Sequence, residues 1–347
     1  MRLHWGLYRF CHHLIADHSI YRVNGLCIVA QTLEFFLADL GDNLGIAEPK
    51  IITIRPIYLP HCKRLTIMTT IQVGCDLTYS VTNPTSFLFN VAAARTAHQT
   101  ISGETLLLTP TIKYEASSLG TEAIQVYRLT VEPCDLQLQY RANVDLCPEV
   151  YDTSGIIEIG YSQLPNEVLP YLNPSRYCES DRLTHFALRV FGNVEPGFSR
   201  VTAICDWIHS NLDYQSGSTG ASTSACDVLI ERVGVCRDYA HLAIALCRAL
   251  CIPARYISGY AVALQPPDFH GFFEAYLGSR WFLFDATRMA PVEGFVRIGT
   301  GRDAADASFA TIIGAATLTY MAVWAEQTAP NQITNQPVPQ AAVSTTN

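Results

Sequence analysis

The segment from Gly234 to Asp285 constrains this chain most: one helix pattern is followed by three strand patterns, the last two closed by a glycine-containing turn. From Cys236 to about Cys251, Tyr239, Leu242, Ala243, Leu246 and Leu250 recur at three- and four-residue steps, the spacing of a helix with a buried face. Ile252-Pro253 stops it. Ala254 to Ala263 reads as a strand and Gln265-Pro266-Pro267 as a loop. Asp268 to Leu277 and Arg280 to Asp285 then read as a hairpin of two aromatic-rich strands turning at Gly278-Ser279. In an antiparallel pair the start of one strand lies beside the end of the next, so topology alone sets His270 beside Asp285, as a base and its orienting group require. Cys236 stands at the helix N-terminus, where unpaired backbone N–H groups and the macrodipole favour a thiolate. Its own N–H is a natural oxyanion donor.

The stretches GVCRDYAHLAIALCRALCIPARYISGY and DFHGFFEAYLGSRWFLFDATR resemble the transglutaminase-like superfamily, in particular its bacterial members with an N-terminal β-domain. The resemblance spans roughly residues 66 to 325. It implies an α+β fold: a papain-like core, with a Cys-bearing helix packed on an antiparallel sheet, preceded by a small all-β domain. It implies a cysteine peptidase or amidase working through a thioester, with Cys236 as nucleophile, His270 as general base and acid, and Asp285 as orienter. Hydrolysis of a peptide or protein substrate is expected over cross-linking, with a primary amine as acceptor wherever acyl transfer occurs. One departure is Gly271-Phe272 after His270, where many relatives carry Ala and then a large aromatic; this bears on substrate fit. No cofactor and no metal are expected: there is no acidic D-x-D-x-D loop and no clustered Cys/His spacing.

Other residues carry two readings each. The loop from Tyr214 to Thr219 is a source for a second oxyanion donor, and Tyr214 a candidate substrate contact. Arg302, in Gly299 to Asp306, either grips a substrate carboxylate or holds a turn through an internal ion pair; Arg288 is weighed the same way. His241 lies about 140° around the helix from Cys236 and reads as an ordinary helix histidine. Glu274 shares a strand face with His270 and reads as solvated. Cys247 and Cys251 read as packing residues. The rival to an enzyme is a catalytically silent fold that binds peptide or protein in the same cleft.

Four regions are expected: an extension at 1–66, a β-sandwich-like domain at 67–148, the transglutaminase-like domain at 149–328 and a disordered tail at 329–347. In the second, Leu136, Leu138 and Tyr140 alternate with polar residues, the period of a half-buried strand. Met68 directly precedes the first convincing strand, and a translational start there is an expectation that native peptides from before Met68 would contradict. A net charge of -8 without a basic run argues against nucleic acid. No apolar run of about 18 residues spans a bilayer, and the first residues lack a secretory pattern. The 12 cysteines show no CxxC pair and read as free thiols of a reducing, cytoplasmic protein.

Overall fold

The computed structural model describes residues 68–120, 124–328 and 341–345, and the backbone of the two-residue strands Arg22–Val23, Leu26–Cys27 and Lys63–Arg64. Apart from those strands, the expected extension at 1–66, and with it the question of a start at Met68, lies outside the described residues. The chain divides into Met1–Pro60 and His61–Asn347. In the first unit Arg22–Val23 pairs antiparallel with Leu26–Cys27. The second unit carries everything that follows.

Its first layer pair is a β-sandwich. Strands β1 (Thr69–Val81), β2 (Thr85–Phe89), β3 (Gln99–Thr109), β4 (Glu115–Leu119), β5 (Ile124–Val131) and β6 (Cys134–Leu146) form most of it. Alternation decides which side faces in: Ile71, Val73, Cys75, Leu77 and Tyr79 from β1 meet Leu136, Leu138, Tyr140 and Val144 from β6 in one core. A short strand, β7 (Glu149–Asp152), leads out of the sandwich.

Helices α1 (Ser180–Phe191), α2 (Phe198–Asn211), α3 (Ala225–Glu231) and α4 (Cys236–Ala249) come next. Ser224 caps α3, where Asp227 reaches back to the Ser224 N–H. Every residue of α4 from Asp238 to Arg248 is buried, because helices cover one side of it and a sheet the other. No helix among the described residues is long and apolar enough to cross a membrane.

The sheet under α4 runs in the order β10-β9-β8-β11, all antiparallel, from β8 (Ala254–Ala261), β9 (His270–Leu277), β10 (Arg280–Phe284) and β11 (Phe295–Gly301). Gly278 (φ 54) and Ser279 (φ 65) both take the left-handed conformation, as a two-residue hairpin turn demands. One face of this sheet packs Phe273, Ala275, Phe282 and Phe284 against the helices. Tyr260, Val262, Val296 and Ile298 join the sandwich core.

Two segments depart from the expected organisation. The last part of the segment read as 149–328 returns to the sandwich: β12 (Ala310–Ile313) pairs with β2, and β13 (Ala316–Gln327) pairs with β1 along its length. Each becomes the edge strand of its sheet and pairs the backbone groups of β2 or β1 that would otherwise be left open. The tail at 329–347 is not wholly disordered, which corrects the expectation: β14 (Ala341–Ser344) pairs with β7, and Ala342, Val343, Ser344 and Thr345 are buried. Val343 packs with Ile257, Phe272 and Phe295, so a short run of small apolar residues in a polar tail finds a partner only in the tertiary fold.

Candidate active site

The hairpin fixes two of the groups. Phe273 is paired with Phe284, so Asp285, one step beyond the strand, lies diagonally across from His270 on the same face. His270 Nε2 is 3.0 Å from Asp285 Oδ2. The other carboxylate oxygen accepts from Thr287 N at 2.9 Å and Thr287 Oγ1 at 2.7 Å, so the carboxylate is held from both sides. His270 is 2% exposed and Asp285 9%. Burial alone would push the imidazole down, but the Asp285 charge and hydrogen bond, with a contribution from Cys236, raise it to about 10. Burial acts against the Asp285 carboxylate too, yet His270 and Thr287 hold it below the usual value. Both directions describe an imidazolium–carboxylate pair.

Cys236 is the first residue of α4 and is partly exposed. Asp238, fully buried, fixes this helix start: its Oδ2 accepts from Val235 N at 2.9 Å and from Thr219 Oγ1 at 2.6 Å, while Oδ1 takes Arg237 Nε at 3.0 Å. Cys236 Sγ is 4.0 Å from the Phe269 carbonyl oxygen, one residue before His270. This approach of strand to helix needs Gly271, since a Cβ there would lie 2.5 Å from Tyr256 Oη and 3.1 Å from Arg237 Cα. The departure noted in the sequence is thus a close-packing position. His270 Nδ1 is buried and has no hydrogen-bond partner among the described residues, so with Nε2 engaged it is the nitrogen left for the thiol.

Tyr214 reaches the same place from another segment. Asp213–Tyr214 pairs in parallel with Val233–Gly234, two residues before Cys236. Tyr239 Oη donates to Leu212 O at 2.8 Å and secures that segment to α4. Burial pushes the Tyr214 hydroxyl well up; a Cys236 thiolate adds to this, and the Cys236 N–H pulls the other way.

The remaining candidates lie in other contacts. Arg302 bonds Asp306 through Nε at 2.9 Å and through its own N–H at 3.0 Å, an ion pair holding a turn. Arg288, at φ 58, is paired with Asp206. His241 accepts from Ala304 N at 3.1 Å, stacks on Tyr177 with Tyr256 tilted against it, and is pushed down to about 3 by burial, so it is neutral. Glu274 is not solvated: it is fully buried between Arg255, at 2.6 Å, and Arg297. The sheet has cover on both faces, which removes the solvent side assumed for it. Cys247 is buried as expected, but Cys251 lies beyond the helix end at φ 63 and is exposed. No group of His, Cys, Asp and Glu among the described residues is arranged to hold a metal ion.

Sequence reasoning missed Asp238 and Thr287. Each had a local signal: an acidic residue at the third helical position, and an Asp-x-Thr turn after the strand.

Comparison with known proteins agrees with this architecture. Residues 184–286 match the model of the transglutaminase-like superfamily, and residues 69–164 match that of the bacterial transglutaminase N-terminal domain. A solved structure from Cytophaga hutchinsonii, provisionally assigned as a cysteine protease, is 44% identical with a TM-score of 0.76, covering 82% of this chain and 99% of that one. An uncharacterized protein of Mycobacterium leprae is 34% identical over 145 residues, 39% of this chain and 51% of its own. One of Mycobacterium tuberculosis is 31% identical over 150 residues, 39% of this chain and 47% of its own. The chain thus spans about half the length of these curated relatives. With both family models in order along it and a 44% identical solved relative covered almost entirely, the chain belongs to the transglutaminase-like superfamily.

Proposed function

We propose that this chain hydrolyses amide or peptide bonds through a thioester on Cys236, with His270 as general base and acid and Asp285 as its orienting partner. The observation that carries the reading is the bond of 3.0 Å between His270 and Asp285, with the imidazole's other nitrogen left for a thiol at a helix N-terminus. The Cys236 thiolate attacks the carbonyl carbon, and the tetrahedral oxyanion takes the Cys236 N–H as one donor and the Tyr214 hydroxyl as the second. As the C–N bond breaks, His270 gives its proton to the leaving amine. Water then gives a proton to His270 and attacks the thioester, freeing acid and thiol. Cys236 is partly exposed, so water can reach the thioester, which supports hydrolysis as the second step.

The test is intact-mass analysis of the protein mixed with a peptide-amide library. The reading requires an acyl adduct on the Cys236 peptide that hydroxylamine discharges, absent in Cys236→Ser and in His270→Ala. Peptides bound without any adduct or product would favour a silent binding fold instead.

A further inference from the structure

A cavity of about 140 Å³ opens between the loop after β8 and strand β13, beside the candidate active site. Its volume is of the order that holds a benzene-sized group. Leu264 and Trp324 line it with apolar and aromatic surface over the fully buried Tyr260, and the exposed acidic residues Asp268 and Glu326 also line it. Among the described residues no ion pair holds either carboxylate; Asp268 Oδ1 accepts from Phe269 N at 2.7 Å. Arg141 lies over the Trp324 ring, but its Nη2 spans both oxygens of Asp76, at 2.8 and 3.0 Å, so its charge is already matched.

The cavity is tied to the reacting groups through Phe269. That residue stands between Asp268 and His270, its ring lies 5.5 Å from Tyr260, and its carbonyl faces Cys236 Sγ. Two residues of extended chain, about 7 Å, separate Asp268 from His270. A substrate side chain close to the bond being broken can span that distance.

We propose that this cavity is a specificity subsite for a basic side chain, arginine or lysine, of the peptide substrate near the scissile bond. The aliphatic stem packs against Leu264 and Trp324, and the cationic head meets Asp268 and Glu326. This rests on the proposed hydrolase reading for its substrate, while the cavity's charge preference stands apart from it.

The test uses two chloroacetamides, one with a butylguanidinium arm and one with the neutral butylurea arm, and reads their alkylation rates at Cys236. The guanidinium reagent reacts about fivefold faster, the order expected for partly solvated charge pairs. The ratio falls toward one in Glu326→Gln and in Asp268→Asn, and stays in Glu195→Gln, an exposed carboxylate that does not line the cavity. A second readout needs no reaction: the inert guanidinium acetamide raises the melting temperature of the wild type, and less that of Glu326→Gln. A wild-type ratio of one, or a ratio that both substitutions leave intact, overturns the subsite. Slow alkylation by both reagents with a Glu326-dependent melting shift upholds the subsite and counts against the hydrolase reading.

Discussion

His270 turns Nε2 toward Asp285 at 3.0 Å, and the same carboxylate is gripped on its other oxygen by the N–H and hydroxyl of Thr287. One carboxylate therefore sets the imidazole's orientation and supplies the main stabilisation of its charge. The pair's pH dependence follows from the directions of its shifts. The folded imidazole holds its proton up to about 10, above the ordinary value of 6.5, so its contribution is fully present below about pH 6.5 and fades as pH rises through about 10. Thermal melts of wild type and Asp285→Asn should differ most near pH 6, by about 3 kcal/mol, and converge toward pH 10. A constant gap across that range would mean that the histidine is not charged in the folded protein.

Asp238 holds the residue before the nucleophile candidate and the Thr219 loop at once. Asp238→Ala should cost about 2 kcal/mol, from the lost helix cap and buried bonds. It should also slow alkylation of Cys236 more than that of Cys251, which separates loosening of the helix start from general unfolding. Denaturant titration and peptide-resolved alkylation check the two effects.

Glu274 lies fully buried between Arg255 and Arg297, and Arg297 also donates to Thr345 Oγ1 at 3.1 Å in the C-terminal segment. Removing the carboxylate leaves buried cations without their shared anion. Glu274→Ala should destabilise by about 3 kcal/mol, and Glu274→Gln should recover only part of this. Equal stability of all three proteins in urea would contradict the network.

The C-terminal strand should act as part of the core. Deleting 341–347 uncovers Ala342 and Val343 and removes Thr345 from Arg297, at a cost of about 2 kcal/mol or more. Unchanged unfolding in guanidinium would show that β14 contributes nothing.

What the sequence made legible was local. The hairpin, the turn at Gly278-Ser279 and the start of α4 at Cys236 all rest on signals within a few residues. What it hid was tertiary. Glu274 sits in HGFFEAYL, a run too continuously apolar for a strand with one wet face, so the burial on both sides is signalled by the run as a whole and not by Glu274's own polarity. Ala341–Ser344 and Ala316–Gln327 carry weak patterns of their own, and their placement comes from the open edges they complete. Arg302 and Arg288 look alike in sequence, and only geometry shows each engaged with a nearby aspartate.

In the proposed mechanism Cys236 and His270 work as a thiolate–imidazolium pair. Its most direct test is the rate of iodoacetamide alkylation at Cys236 near neutral pH, read by peptide mass spectrometry with exposed Cys251 as internal control, in wild type and in His270→Ala. Cys236 should outpace Cys251 by at least about tenfold in the wild type, and the advantage should collapse without His270. A Cys236 no faster than Cys251, or one indifferent to the loss of His270, would contradict it.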